Sequence, residues 1–238
     1  MDPVIVITGA SGGLGASTLA AVTATALARE SSPTLVDGGF GAGGLDATLA
    51  VEHLDGLRWE DLADHEGAVD PTRLREGLPM GPVPVLAARG RRPEAATVRA
   101  VVHGLARVGP VVIDVPSGPR VSRVWLELAD LVVVLVGLRP RWLRDGEALA
   151  ATLGEHAERS VLVTRGPRRA SRVALRAGDH LGLPLLEHLA DDAGVVRDEA
   201  RGRSPRPRGP VREVAVALVD SLPESGPSLR QGVLGLAS

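Results

Sequence analysis

Four β-branched residues, Val4-Ile5-Val6-Ile7, run without a polar break into Thr8-Gly9-Ala10-Ser11-Gly12-Gly13-Leu14-Gly15, and an alanine-rich stretch follows. Nothing else in the 238 residues constrains the fold as much. A short, continuous apolar run reads as a strand covered on both faces, and such strands belong to parallel sheets. The glycines permit a sharp turn and a close backbone approach to a ligand, and the helix behind them adds the positive end of its dipole. Strand, glycine loop and helix together predict an α/β sheet with an anion-binding loop at the carboxyl end of its first strand.

The alternation continues along the chain. Residues 17–29 predict a helix, 34–36 a strand ending at Asp37, 83–87 a strand, 93–107 a helix, and 111–113 a strand ending at Asp114. Beyond these come a helix at 121–128, a strand at 131–136, a helix at 140–156, a strand at 160–164, a helix at 171–181 and the start of a short strand at 185–186. Short helices are expected at 45–51, 59–63, 71–76 and 191–200, then a loop rich in Arg, Pro and Gly at 201–210 and a closing, core-packed helix at 211–222. The expected fold class is α/β, a doubly wound, mostly parallel sheet with helices on both faces. Residues 1–222 would form one domain and residues 223–238 a flexible tail. The glycine loop, Asp37 and Asp114 then lie at the carboxyl ends of strands, where such sheets bind ligands.

Composition narrows the chemistry. Every one of the 27 basic residues is arginine; lysine, asparagine, tyrosine and cysteine are absent. Disulfides, thiolate metal sites and a cysteine nucleophile are therefore excluded. The six histidines are scattered without ligand spacing. Taken alone, the loop resembles the cofactor loop of short-chain dehydrogenases. Those enzymes need a tyrosine acid, a neighbouring lysine and usually an asparagine, so their catalysis is excluded here, although a degenerate dinucleotide binder stays open. The longest apolar run, 131–138, falls short of the ~20 residues needed to cross a bilayer, and the start of the chain lacks the basic, extended apolar pattern of a secretion signal. A cytoplasmic location without a membrane span is expected.

A second reading extends past the loop. Residues 12–20, Gly-Gly-Leu-Gly-Ala-Ser-Thr-Leu-Ala, resemble the deviant phosphate-binding loop of the ParA/MinD family of ATPases, whose pattern is Lys-Gly-Gly-x-Gly-Lys followed by two Ser/Thr residues. Residues 35–46, Leu-Val-Asp-Gly-Gly-Phe-Gly-Ala-Gly-Gly-Leu-Asp, resemble the family's second strand and switch, and Val111-Val112-Ile113-Asp114-Val115-Pro116 its Walker B strand. Within the family the nearest likeness is to the CpaE/TadZ group and to actinobacterial septum-site-determining or CpaE-like proteins. It rests on the lysine-less loop, Gly-Gly-Leu-Asp at 43–46, Gly-Leu-Arg-Trp at 56–59 and Gly-Leu-Pro-Leu-Leu at 182–186. Many members of that group carry a receiver-like N-terminal domain, which is not expected here because Met1 stands three residues before the first strand.

The resemblance implies a doubly wound P-loop fold and a homodimer that assists assembly of a Tad-type pilus or related secretion system, recruited to the membrane or cell pole through partners. It implies nucleotide at Ser11, Gly12, Gly13, Leu14, Gly15, Ala16, Ser17 and Thr18, with Mg²⁺ on Ser17, Asp37 and Asp114. Asp37 and Asp114 are also the candidates for any catalytic role. The departures are specific. Ala16 stands at the lysine that contacts phosphates, Ser11 at the lysine that reaches across the dimer, Gly39 at the second switch aspartate, and Thr164-Arg165 where an asparagine is frequent. A lost ammonium removes a charge-assisted bond of about 1.5–3 kcal/mol. ATP is therefore expected to bind weakly or not at all and to be hydrolysed little. The alternatives are an active ParA/MinD-type ATPase that positions DNA or the division septum, and the degenerate dinucleotide binder.

Charge is uneven along the chain. The first 119 residues hold 9 arginines against 14 acids, the remainder 18 against 15. Arg165, Arg168, Arg169, Arg172 and Arg176 form one cluster, and Arg197, Arg201, Arg203, Arg206 and Arg208 another. Each could serve as a phosphate footprint for nucleic acid, as a protein interface or as a solvated face. The lack of interleaved aromatics argues against stacking on single strands.

Overall fold

The computed structural model describes residues 1–41, 44–64 and 69–222. Ala42 and Gly43 of the switch-like segment, His65 and the expected tail at 223–238 lie outside the described residues.

The described strands are β1 (Val4–Gly9), β2 (Thr34–Asp37), β3 (Val85–Leu86), β4 (Val111–Val115), β5 (Leu131–Gly137), β6 (Ser160–Gly166) and β7 (Leu185–Ala190). They form one sheet in the order β3-β2-β4-β1-β5-β6-β7, and every adjacent pair is parallel. This is the doubly wound α/β architecture that the strand–helix alternation predicts. The central strands are apolar on both faces because both are covered. Val4 and Val6 pack into one core with Val98, Trp125, Leu149 and Leu181, while Ile5 and Ile7 pack into the other with Leu19, Leu45, Val214 and Leu218.

Helices α1 (Ala16–Leu27), α2 (Leu45–Leu49) and α10 (Gly209–Asp220) cover the second core. The first is covered by α3 (Trp59–Leu62), α4 (Pro71–Glu76), α5 (Ala95–Leu105), α6 (Arg123–Leu128), α7 (Pro140–Leu153) and α8 (Ser171–Leu181). A short α9 (Ala193–Glu199) follows β7. The closing helix packs in the core as expected, with Val211, Val214, Ala215 and Leu218 buried.

Several boundaries shift from the sequence reading, among them the end of the loop before the closing helix, since α10 begins at Gly209 rather than 211, and two shifts have clear reasons. The helix expected to run to His156 stops at Leu153, because Gly154 adopts φ 54° and begins a 3₁₀ turn, Gly154–Arg159. A glycine at positive φ, outside the right-handed helical region, ends the i→i−4 ladder. The strand expected at 83–87 keeps only Val85 and Leu86, since Pro84 forms an antiparallel bridge with Met80 in a tight turn before it.

Candidate phosphate and metal site

Strand register brings the candidate residues to one level. Asp114 on β4 pairs with Asp37 on β2 and with Ile7 on β1, two residues before the glycine loop begins. The sheet order places β4 and β5 on the two sides of β1, so the loop rises from the middle of the sheet's carboxyl edge. Gly13 (φ 76°) and Gly15 (φ 91°) take left-handed backbone conformations that an L side chain resists, and Gly15 is the N-cap of α1. The loop thus enters a twelve-residue helix whose first N–H groups face its ligand side.

Ser17, Asp37 and Asp114 share a cavity of about 290 Å³ with Gly39, Gly41, Gly44, Leu45, Thr48 and Pro116. Asp37 is held firmly. Its Oδ1 accepts from the Gly39 N–H at 2.7 Å and its Oδ2 from the Leu45 N–H at 3.2 Å. Gly44 must lack a side chain, because a Cβ there would lie 2.5 Å from Asp37 Oδ2. Burial raises the Asp37 pKa above the usual carboxylate value, opposed by the two backbone donors and assisted by the charge of Asp46. Burial pushes Asp114 up to about 7; a hydrogen bond from the Ser17 hydroxyl works against this, and the Asp37 charge adds to it.

An aromatic clamp holds the backbone at Asp37 and Gly38. Trp59 Nε1 donates to the Asp37 carbonyl at 2.8 Å, and Trp125 Nε1 donates to the Gly38 carbonyl at 3.2 Å. Phe40, with φ 54°, has its ring stacked on Trp125 (5.6 Å between centroids) and edge-on to Trp59 (5.4 Å). Arg92 lies 5.5 Å from the Phe40 ring. Composition hinted at this group, for these are three of the chain's four aromatic residues, yet no periodicity links positions 40, 59 and 125. Gly-Leu-Arg-Trp at 56–59 has a local role as well. Arg58 is buried and donates to the carbonyls of Gly56 (3.0 Å) and Leu54 (2.9 Å), which fixes the entry to α3 and so places Trp59.

The remaining loop residues show what stands in place of charge. Ala16 is buried, and Thr18 lies beside Ser17 in the first turn of α1. The Ser11 hydroxyl donates to Asp145 Oδ2 on α7 at 2.5 Å. Arg165, from the end of β6, donates through Nη1 to the Leu14 carbonyl at 3.3 Å and through Nε to Asp191 Oδ1 at 2.9 Å. Neither Asp145 nor the approach of Arg165 to the loop could be read from spacing, since each meets the loop from more than 130 residues away.

The arginine clusters separate. Arg168, Arg169, Arg172 and Arg176 are exposed around the start of α8. In the second cluster, Arg203 and Arg208 turn onto the buried Asp198, Arg208 at 2.5 Å, and Arg197 Nε donates to the Ala193 carbonyl at 3.2 Å. Much of that second cluster therefore braces its own loop.

The donor set fits magnesium. Two carboxylates and a hydroxyl supply hard oxygens, and Mg²⁺ commonly takes one or two carboxylates together with phosphate oxygens and water. Among the described residues no group of three or more histidine, aspartate or glutamate side chains converges to hold a metal, so phosphate oxygens would have to complete the shell. When bound, the ion would neutralise phosphate charge beside Asp37, Asp114 and Ser17.

No family model matches the chain. Two uncharacterized proteins of Mycobacterium tuberculosis, from two strains, are 31% identical to it over 229 residues. The match takes in 94% of this chain but 65% of each relative, so the chain spans less than two thirds of the length of the curated relatives it matches. A ParA family ATPase from Chlorobium tepidum superimposes with a TM-score of 0.79 at 18% identity, over 93% of this chain and 100% of that one. The chain has the ParA/MinD fold. The MinC:MinD cell division complex of Aquifex aeolicus gives a TM-score of 0.71 at 20% identity, over 94% of this chain and 98% of that one. The septum site-determining protein MinD of Pyrococcus horikoshii, complexed with Mg-ADP, gives 0.70 at 17% identity, over 94% and 97%. At these identities the ParA/MinD likeness establishes the architecture, and the site must be argued from its own residues. Among the described residues no helix is long and apolar enough to cross a membrane.

Proposed function

We propose that this chain is a weakly nucleotide-binding, poorly hydrolysing member of the ParA/MinD group that acts as an assembly and localisation factor of the CpaE/TadZ kind. The observation that carries this reading is the chemistry of the cavity. Ser17, Asp37 and Asp114 line it together, a set of oxygens suited to Mg²⁺, whereas the two loop positions that hold lysine in the family pattern carry Ala16 and a Ser11 already bonded to Asp145. Binding groups are kept; the charges that would stabilise a transferring phosphoryl group are not. The convergence on Ser17 also favours an ATPase-derived site over a dinucleotide groove.

Residues Ser11 to Thr18 would cradle Mg-ATP or Mg-ADP through backbone N–H groups, with Ser17, Asp37 and Asp114 around the ion. The role in a Tad-type pilus or related secretion system rests on the resemblance of the loop, of Gly-Leu-Arg-Trp at 56–59 and of Gly-Leu-Pro-Leu-Leu at 182–186 to that group. A homodimer, cytoplasmic residence and recruitment to pole or membrane by assembly proteins follow from the same likeness. Calorimetric titration with Mg-ATP, Mg-ADP and NADPH, beside a phosphate-release assay, tests the reading. Micromolar to millimolar Mg-nucleotide binding with turnover below ~0.1 s⁻¹, well under typical enzyme rates, is expected. Turnover above that supports the active ATPase that positions DNA or the septum, and preferential NADPH binding the dinucleotide reading.

A further inference from the structure

A loop that cradles phosphate normally has a cation of its own, a lysine reaching the β- and γ-phosphates. This chain has none to offer at Ala16, and no lysine anywhere. The structure nevertheless brings one guanidinium onto the loop from a distant strand. Arg165 leaves the carboxyl end of β6 with its side chain 18% exposed and donates through Nη1 to the Leu14 carbonyl at 3.3 Å. Its Nε is anchored on Asp191 Oδ1 at 2.9 Å. The loop is shaped for this approach. A Cβ on Gly15 would stand 3.1 Å from Arg165 Nη1, so a side chain at that residue would press on the guanidinium.

The donor count matters. A guanidinium has five N–H groups in a rigid fork. One is taken by Asp191 and one by Leu14, which leaves three N–H groups without a protein acceptor among the described residues. Asp191 is 61% exposed, so solvent screens much of its charge and Arg165 keeps most of its own field. The other arginines of the cluster, Arg168, Arg169, Arg172 and Arg176, lie exposed beyond β6. Arg139 is stacked 4.6 Å from the Trp142 ring.

We infer that Arg165 is the cation of this phosphate loop, placing a guanidinium from β6 against the anion that the Gly12–Thr18 amides hold, in the role a loop lysine would otherwise fill. Asp191 is its positioning residue, fixing the fork by Nε while Nη1 lies against the loop. The inference rests on the reading above that Mg-nucleotide binds here. It also accounts for a lysine-less loop that keeps its glycines, its Ser17 hydroxyl and both carboxylates.

The test is a titration of the full chain with Mg-ATP and Mg-ADP, using wild type, Arg165→Ala, Arg165→Lys and the double variant Ala16→Lys/Arg165→Ala, with thermal melts to confirm folding. Arg165→Ala should weaken binding ~10- to 100-fold, the loss typical of one charge-assisted contact. Ala16→Lys should restore it in the double variant by returning the charge from the other side of the loop. Unchanged affinity in Arg165→Ala overturns the inference while leaving the nucleotide reading intact. Lost affinity that neither lysine variant recovers shows a mere brace of the loop and overturns it too. Wild type that binds no nucleotide overturns both. Should Arg165→Ala fail to fold, Arg165→Gln, which keeps a donor for Leu14 without the charge, decides the same question. Wild-type affinity in that variant refutes the charge role, and a loss of tenfold or more supports it.

Discussion

Asp37 and Asp114 are direct partners in the β2–β4 register, so two carboxyl groups share one end of the cavity. Their environments separate them. Asp37 accepts two backbone N–H groups, whereas Asp114 has the Ser17 hydroxyl and is pushed up to about 7 by burial. In the unfolded chain Asp114 would titrate near its ordinary value of 3.8. Between those two values the folded protein holds a proton that the unfolded chain has released. This group's contribution to stability therefore falls as pH rises from about 4 to about 7 and then levels off. Mg²⁺ requires the ionised carboxylate, so its binding should run the opposite way and strengthen between about pH 6 and pH 8. Thermal melts without metal should show wild type losing stability across that lower range more steeply than Asp114→Asn, which keeps the slope of Asp37, whose pKa burial also raises. An equal pH slope in the variant would assign the effect to another group.

The aromatic clamp has a separable consequence. Phe40 is 7% exposed, lies against both tryptophans and occupies a left-handed backbone position. Phe40→Ala should cost roughly 3 kcal/mol, the lower end of the usual range for a buried aromatic, because relief of the strained backbone is small beside the cavity left behind. At ~2–4 °C per kcal/mol for a domain of this size, the midpoint should drop by about 6–12 °C. Since Trp59 and Trp125 donate to the carbonyls of Asp37 and Gly38, tryptophan emission should shift on adding Mg-nucleotide, and the shift should diminish in Phe40→Ala. Emission that ignores saturating nucleotide would show that the clamp does not sense the cavity.

Local pattern carried the fold further than it carried the site. Val4–Ile7 announced a central strand because four β-branched residues can be buried on both sides only in a covered sheet. Asp37 and Asp114 were legible because each ends such a strand. The clamp was not, because Phe40, Trp59 and Trp125 meet only after β2 and β4 pair and α3 and α6 close over them. Asp145 and Arg165 were hidden for the same reason. Their partners Ser11 and Leu14 are set by the β1-β5-β6 order, a property of the whole sheet. The second arginine cluster misled in the other direction, since clustering in sequence could not reveal that Asp198 lies buried beneath it.

That aspartate holds the segment between α9 and α10. Burial pushes its pKa up, but Arg203 and Arg208 outweigh this and hold Asp198 below the ordinary carboxylate value. Its contribution is therefore present above about pH 4 and lost as pH falls further. The Ser204 hydroxyl donates to the Leu49 carbonyl, which ties the segment to the end of α2, whose first residue supplies the Leu45 N–H to Asp37. Asp198→Asn should expose residues 200–208 to limited proteolysis and weaken Mg-nucleotide binding without touching the cavity. Wild-type protease resistance in that variant would place the stability of the segment elsewhere.

Charge restoration at the loop separates binding from turnover. Ala16→Lys adds the ammonium that phosphate loops ordinarily use, and a charge-assisted contact of about 1.5–3 kcal/mol predicts ~10- to 100-fold tighter Mg-ATP binding. Turnover should stay low, because Ser11 remains neutral. Ser11→Lys alone should not cure this. Asp145 already takes the hydrogen bond of residue 11 within the same chain and would hold the new ammonium as an internal ion pair. Turnover should rise only when Ser11→Lys is combined with Ala16→Lys and Asp145→Asn, which frees the ammonium to reach a bound phosphate or a second subunit. Phosphate release measured for the four variants decides the matter. Appreciable hydrolysis in Ala16→Lys by itself would show that the loop lacked affinity alone. Hydrolysis in the Ser11→Lys and Ala16→Lys pair with Asp145 intact would show that this aspartate does not sequester the charge.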